Sequence, residues 1–436
     1  MRNPRVVRLL AIPALAALFQ FGTPPAQAVS PPPVDEKWLP EPAAPAPPQP
    51  TVQREVCAAL SPSPAEPGRS PDQFPDLDLP QVWQLTRGAG QRVAVIDTGV
   101  ARHQRLPNVV PGGDYVSTGD GTQDCDAHGT LVAGIIAATA DSKADGFSGV
   151  APDVTVISIR QSSAKFAPTD GSGVGVGDVE TMAKAVRTAA DLGASVINIS
   201  SVACVPAASV LDDRALGAAL AYAVDVKNAV VVAPAGNTAG NAQCPAQQPN
   251  ATWESVTVAV SPAWYDDYVL TVGSVNAAGA PSAFTLAGPW VDVAATGEGV
   301  TLFGSDPLSG TSYSAPVVSG LAALIRARFP TWTARQVMQR IESTAHHPPA
   351  GWDPFVGNGT VDALAAVSTD WTSASTSTPS TPPVAISPPP PPRPPDGHVR
   401  ATALRGAAIG MAALALALAS LRLRGPRRPR DTVPGD

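Results

Sequence analysis

Two short apolar runs, each stopping abruptly on a polar side chain, constrain this chain more than any other feature. Val93-Ala94-Val95-Ile96 ends on Asp97-Thr98-Gly99, and Val230-Val231-Val232-Ala233 passes through Pro234-Ala235-Gly236 to Asn237. Runs of this length, rich in β-branched residues and without polar alternation, read as strands buried on both faces. Each delivers one functional group at its carboxyl end, a carboxylate from the first and an amide from the second.

Two further stretches read as buried helices. His128-Gly129-Thr130 opens the run Leu131-Val132-Ala133-Gly134-Ile135-Ile136, which places an imidazole at a helix start. Gly310-Thr311-Ser312 precedes Tyr313-Ser314-Ala315-Pro316 and a second apolar run. A serine hydroxyl there is exposed beside the positive end of the helix dipole, which suits attack on a carbonyl. Gly-Thr-Ser alone is a common tripeptide, but its company is informative. In chain order the four segments supply a group to orient a base (Asp97), a base (His128), an amide donor for an oxyanion (Asn237) and a nucleophile (Ser312).

These four blocks, in this order, resemble the signature of the subtilisin-like serine proteases. The resemblance spans residues 86–367. It implies an α/β fold, a subtilisin-like three-layer α/β/α domain with a mostly parallel sheet, and serine-type endopeptidase activity on protein or peptide substrates. It also implies catalytic roles for Asp97, His128 and Ser312 and an oxyanion-hole role for Asn237. Gly149-Val150-Ala151-Pro152 followed by Val154–Ile159 resembles the family's next strand. Ser195–Ser200 resembles the strand bordering its substrate cleft, so Ser200, Ser201, Ala235 and Gly236 are expected against substrate. The chain departs from the pattern after that strand, where Ser201-Val202-Ala203-Cys204 replaces a glycine-containing stretch. Leu131 stands where a second histidine is common. The glycine-rich segment 171–177 falls at the expected opposite wall of the cleft, as a substrate rim or a plain surface loop.

The two ends suggest export and anchoring. Arg2, Arg5 and Arg8 precede an apolar run from Leu9 to Phe21 and the small-residue site Ala26-Gln27-Ala28, the pattern of a secretory signal peptide over 1–28. Residues 29–85 form a proline-rich extension, of which Val29 to Leu79 shows no sustained strand or helix period and is expected to be an arm rather than a pro-domain. Residues 368–402 are a Ser/Thr/Pro-rich linker that cannot build a core. Residues 403–423 read as a transmembrane helix whose apolar stretch, Gly406 to Leu421, is at the lower limit of the about 17–25 residues needed to span, and 424–436 as a basic cytoplasmic tail. The expected location is the plasma membrane, single-pass, with the catalytic domain outside. The net charge of −7 despite basic termini leaves an acidic exported portion, which argues against nucleic acid as a partner. This architecture, with Gly310-Thr311-Ser312 running on through Ala315-Pro316-Val317-Val318-Ser319-Gly320, is similar to the mycosins, membrane proteases of type VII secretion. That resemblance implies secretion-machinery membrane components as partners.

Four cysteines in an exported chain form two disulfides most simply, with three possible pairings. Cys204 and Cys244 follow the strands ending at Ser200 and Asn237, and adjacent parallel strands emit loops at one sheet edge. Cys204 with Cys244 is therefore the economical pairing, leaving Cys57 with Cys125. No Cys-x-x-Cys spacing supports a metal site. Asp120, Asp124 and Asp126, or Asp212 and Asp213, are acidic enough to suggest structural calcium, but they read better as solvated loop acids, and no cofactor is expected. His103, His346, His347 and His398 lack catalytic contexts.

Overall fold

The computed structural model describes residues 30–59, 73–141, 146–207, 209, 211–239 and 244–368. The chain divides into two units, residues 1–370 and 371–436, and the second lies outside the described residues. So do the expected signal peptide (1–28), transmembrane helix (403–423) and basic tail (424–436), and all but the first residue of the linker (368–402). Among the described residues no helix is long and apolar enough to cross a membrane.

In chain order the strands begin with β1 (Thr51–Gln53), β2 (Arg92–Asp97), β3 (Val109–Asp114), β4 (Thr155–Arg160) and β5 (Phe166–Pro168). They continue with β6 (Val196–Ile199), β7 (Ala203–Pro206), β8 (Val230–Pro234) and β9 (Val258–Ser261). The last are β10 (Leu270–Val275), β11 (Val293–Thr296), β12 (Glu298–Val300) and β13 (Leu308–Ser309). The helices are α1 (Leu79–Leu85), α2 (His128–Ala137), α3 (Val179–Asp191), α4 (Arg214–Ala221), α5 (Thr311–Arg328), α6 (Ala334–Thr344) and α7 (Ala363–Val367).

Seven strands form one sheet in the order β11-β10-β8-β6-β2-β4-β3, and every pairing within it is parallel. β6, β8 and β10 are buried along their whole length, as is β2 beyond Arg92, so the sheet must be covered on both faces. α2 and α5, packed on one another, cover one face, and α3 and α4, packed on one another, cover the other. α5 is buried nearly all round from Ser314 to Ile325 and passes beneath the centre of the sheet, against β6, β8, β10 and β11. Parallel strands all point their carboxyl ends the same way. Asp97 and the loops after β6 and β8 therefore share one edge.

The core reaches back before residue 86. Phe74, Leu77, Leu79 and Val82 are buried in it, and residues 79–85 form α1, a short helix at the end of the proline-rich extension. Leu79 and Val82, three residues apart, share its buried face, and Pro80 stands in its first turn, where a missing N–H costs nothing. Seven residues are too few to show a period in the sequence.

Residues 30–59 are an arm laid over the domain. Trp38 stacks under the Arg214 guanidinium at 3.9 Å, and Arg187 Nη1 donates to the Pro40 carbonyl at 3.1 Å. Pro45 lies so close over Gly113 that a Cβ there would stand 2.2 Å from the proline ring. Gly113 belongs to β3, an edge strand, and a proline-rich cover blocks further strand addition at that edge. β1 then pairs antiparallel with β5, and a disulfide joins Cys57 to Cys125. The second disulfide joins Cys204 to Cys244, as the neighbouring positions of β6 and β8 lead one to expect.

Candidate active site

β2 ends on Asp97, only 3% exposed. Asp97 Oδ1 accepts the Thr98 N–H at 2.6 Å and faces His128 Nδ1 at 2.7 Å. A carboxylate only accepts, so Nδ1 carries the proton and Nε2 is left as the acceptor. Nε2 lies 3.1 Å from Ser312 Oγ. The His128 side chain is 28% exposed, so the imidazole sits at an opening rather than in the interior.

Glycines make this approach possible. A Cβ on Gly129 would stand 2.1 Å from the Gly99 carbonyl oxygen, and Gly99 itself has φ of 98°. The Asp97-Thr98-Gly99 turn and the first turn of α2 can thus touch backbone to backbone.

Ser312 is the second residue of α5, where N–H groups have no carbonyl four residues back within the helix. Pro316 cannot donate to the Ser312 carbonyl, which loosens the same turn. Asn237, three residues past β8, turns its Oδ1 to the Thr311 N–H and Oγ1, both at 3.0 Å. Its Nδ2 is then the free end, and it points to the serine side: a Cβ on Gly310 would lie 3.3 Å from Ser312 Oγ and 3.7 Å from Asn237 Nδ2. The arrangement offers two N–H donors, from Asn237 and the Ser312 backbone, to an oxygen held next to the serine.

Burial pulls the His128 imidazolium down, but the charge and hydrogen bond of Asp97, with the charges of Asp124 and Asp126, outweigh it and leave the pKa above 6.5. The Tyr313 ring stands 5.3 Å from the imidazole, and burial together with the Asp97 charge pushes its phenol up to about 12.

The four residues expected against substrate divide. Ser201 is half-buried. Ser200 is buried, its hydroxyl accepting from Asn198 Nδ2 at 2.7 Å, while Asn198 Oδ1 accepts from Ser319 Oγ of α5 at 2.8 Å. Ala235 is fully buried with its N–H on the Val272 carbonyl, and the Gly236 carbonyl accepts from the Leu286 N–H. The loop acids are engaged with the protein. Asp120 accepts from Thr122, Asp126 from Ser163 and Ala164, Asp212 from Arg214, and the buried Asp213 from Trp264 and Tyr265. Among the other histidines, His103 stacks on Phe303, His346 lies 3.6 Å from Asp362 and His347 meets the Asn358 carbonyl; His398 lies outside the described residues.

Sequence reasoning missed the use made of Asp124. Its carboxylate accepts from Thr98, Asp126, Ala127 and Thr130 and so ties the Asp97 turn to the start of α2. The one signal available was its place four residues before His128.

The description "Subtilase family" fits residues 88–359, more than half of the chain. The chain is a subtilase. It is 70% identical to Mycosin-4 of Mycobacterium tuberculosis (strain ATCC 25618 / H37Rv), over 98% of this chain and 99% of that protein. The solved MycP3 protease from the type VII (ESX-3) secretion system is 45% identical with a TM-score of 0.71, covering 78% of this chain and all of the other. A chain in the structure of an intact ESX-5 inner membrane complex is 41% identical with a TM-score of 0.72, covering 89% of this subtilase and all of that chain. This subtilase is accordingly a serine protease of mycosin type.

Proposed function

We propose that this subtilase is a membrane-anchored extracytoplasmic endopeptidase of type VII secretion, with Asp97, His128 and Ser312 as its catalytic triad. The observation that carries the reading is His128, bridging Asp97 at 2.7 Å and Ser312 at 3.1 Å. Ser312 Oγ attacks the peptide carbonyl as His128 Nε2 takes its proton. Asp97 holds the tautomer and stabilises the imidazolium. His128 then protonates the leaving amine, and water repeats the sequence on the acyl-enzyme. Asn237 Nδ2 and the Ser312 N–H donate to the oxyanion. Export, anchoring by residues 403–423 and an outward-facing domain follow from the sequence pattern of the two ends. The secretion role is supported by the likeness to proteins from the ESX-3 and ESX-5 systems.

Ser312→Ala tests the chemistry. Peptide turnover is expected to fall by several orders of magnitude with the fold unchanged, and substantial surviving turnover overturns the triad. A second reading rests on the relative within an inner membrane complex: the chain is also a structural part of a secretion assembly. Secretion restored by Ser312→Ala in a strain lacking the protein favours that role, and secretion restored by the wild type alone favours proteolysis.

A further inference from the structure

The segment 124–127 approaches His128 in an unusual conformation. Ala127, the residue before it, has φ of 65° and ψ of −9°, a left-handed geometry that a residue with a Cβ rarely adopts. Such a conformation persists only where its surroundings fix it. Each residue of the approach is held by a different part of the protein. Cys125 is bonded to Cys57 of the arm, and its carbonyl accepts from the Ala58 N–H at 2.8 Å. Asp126 accepts from Ser163 Oγ at 2.5 Å and the Ala164 N–H at 2.9 Å.

Asp124 makes the most connections. Its Oδ1 accepts from Thr98 Oγ1 at 2.9 Å, the Asp126 N–H at 3.1 Å and the Ala127 N–H at 2.8 Å. Its Oδ2 accepts from the Thr130 N–H at 2.9 Å and Thr130 Oγ1 at 2.6 Å. Thr98 Oγ1 in turn accepts the Gly129 N–H at 2.9 Å, and Thr130 Oγ1 accepts the Ala101 N–H at 3.0 Å. One carboxylate therefore grips Thr98, the residue after Asp97, and Ala127 and Thr130 before and after His128, with Gly129 held through Thr98.

We propose that Asp124 is a positioning residue for catalysis, whose carboxylate sets the separation and angle between Asp97 and His128. It touches neither substrate nor the reacting atoms. Five donors converge on two oxygens, and only an ionised carboxylate accepts from all of them at once. In the Asp124→Asn variant the new NH₂ group would face N–H or O–H donors whichever way the amide turned, so part of the grip opens. Misplacing a catalytic group by about 1 Å can cost roughly 10²-fold in rate. The charge matters as well. The groups facing His128 are Asp97 from β2, Asp124 and Asp126 from the approach loop and Tyr313 from α5, and losing Asp124's charge lowers the His128 pKa.

The inference rests on the triad reading above, and Ser312→Ala serves as the control that separates the two. The experiment measures kcat, KM and the pH dependence of kcat/KM on an internally quenched peptide cleaved by the wild-type chain. Folding is checked by near-UV circular dichroism and Tm. Asp124→Asn is expected to lose about 10²-fold in kcat with KM within about twofold, and its acid limb moves to lower pH. Thr130→Val, which removes one hydroxyl donor, is expected to lose about tenfold, while Thr130→Ser keeps wild-type kcat. If Asp124→Asn is not recovered folded, the Thr130 pair decides by the same criterion. Wild-type kcat in folded Asp124→Asn, or equal kcat in Thr130→Val and Thr130→Ser, overturns the positioning role. An active Ser312→Ala chain instead overturns the triad itself.

Discussion

The Asn237 side-chain oxygen accepts both the backbone N–H and the hydroxyl of Thr311, each at 3.0 Å. Asn237 thus caps the helix that carries Ser312 while its amide nitrogen faces the serine. On the proposed reading that side chain has two separable roles. Capping belongs to stability, and donation to the oxyanion belongs to the transition state.

Asn237→Ala removes both and is expected to lose about 10²–10³ in kcat and about 1 kcal/mol of stability. Asn237→Asp retains an oxygen for Thr311 but replaces the donor by a carboxylate beside the developing anion. Its kcat is expected to fall at least as far, while Tm stays near that of the wild type. Comparable Tm losses in both variants would show that the cap does not depend on this oxygen.

The pH dependence follows from the acids around His128. Catalysis needs the neutral imidazole, and the charges of Asp97, Asp124 and Asp126 hold the protonated form to above the ordinary 6.5. The acid limb of kcat/KM is therefore expected to have its midpoint above 6.5. The same shift enters stability with a fixed sign. A raised folded-state pKa contributes stability in full below 6.5, and the contribution is lost as pH rises through the folded pKa. Asp126→Asn removes one raising charge and is expected to move the limb down. A limb in wild type below 6.5 contradicts the electrostatic account.

That Asp97, His128 and Ser312 would come together was legible because each sits at the junction of a buried run and a short motif, and buried runs are read from composition alone. The Cys204–Cys244 pairing was legible because β6 and β8 are neighbours in the sheet. Asp124 was not. In the sequence it is one acid among Asp120, Asp124 and Asp126, and its partners Thr98 and Thr130 acquire meaning only when the two turns meet. The arm's strand was equally hidden, since Thr51–Gln53 and Phe166–Pro168 are three residues each and contain no alternation to detect. Ser200 lies just past the end of β6, yet its hydroxyl turns inward to Asn198, a choice made by the facing helix rather than by the strand.

That inward choice makes Asn198 testable. It is fully buried and bridges Ser200 Oγ at 2.7 Å to Ser319 Oγ at 2.8 Å, joining β6 to α5. Asn198→Leu leaves both hydroxyls without that partner, and the expected cost is about 2–5 kcal/mol by chemical denaturation. Adding Ser319→Ala removes one orphaned hydroxyl and is expected to recover part of the loss. If the double variant is less stable than Asn198→Leu by the full effect of Ser319→Ala in the wild type, the two residues are not coupled.

The arm is held at several points, but only one is covalent. The Cys57–Cys125 bond closes a loop with a sequence separation of 68 and ends three residues before His128. In a chain-entropy account a crosslink of that span contributes about 4 kcal/mol, an upper figure here because β1–β5 pairing, the Lys165–Glu55 ion pair at 2.6 Å and the Trp38–Arg214 contact hold the arm without it. Cys57→Ser is therefore expected to lower Tm under oxidising conditions and to match the wild type once both are fully reduced. Asp124, Asp126 and Ala127 keep their own hydrogen bonds in that variant, so kcat at a temperature well below Tm is expected to change far less than in Asp124→Asn. A Cys57→Ser chain that is as inactive as Asp124→Asn while still folded would mean that the covalent tether, not the carboxylate, sets the position of His128.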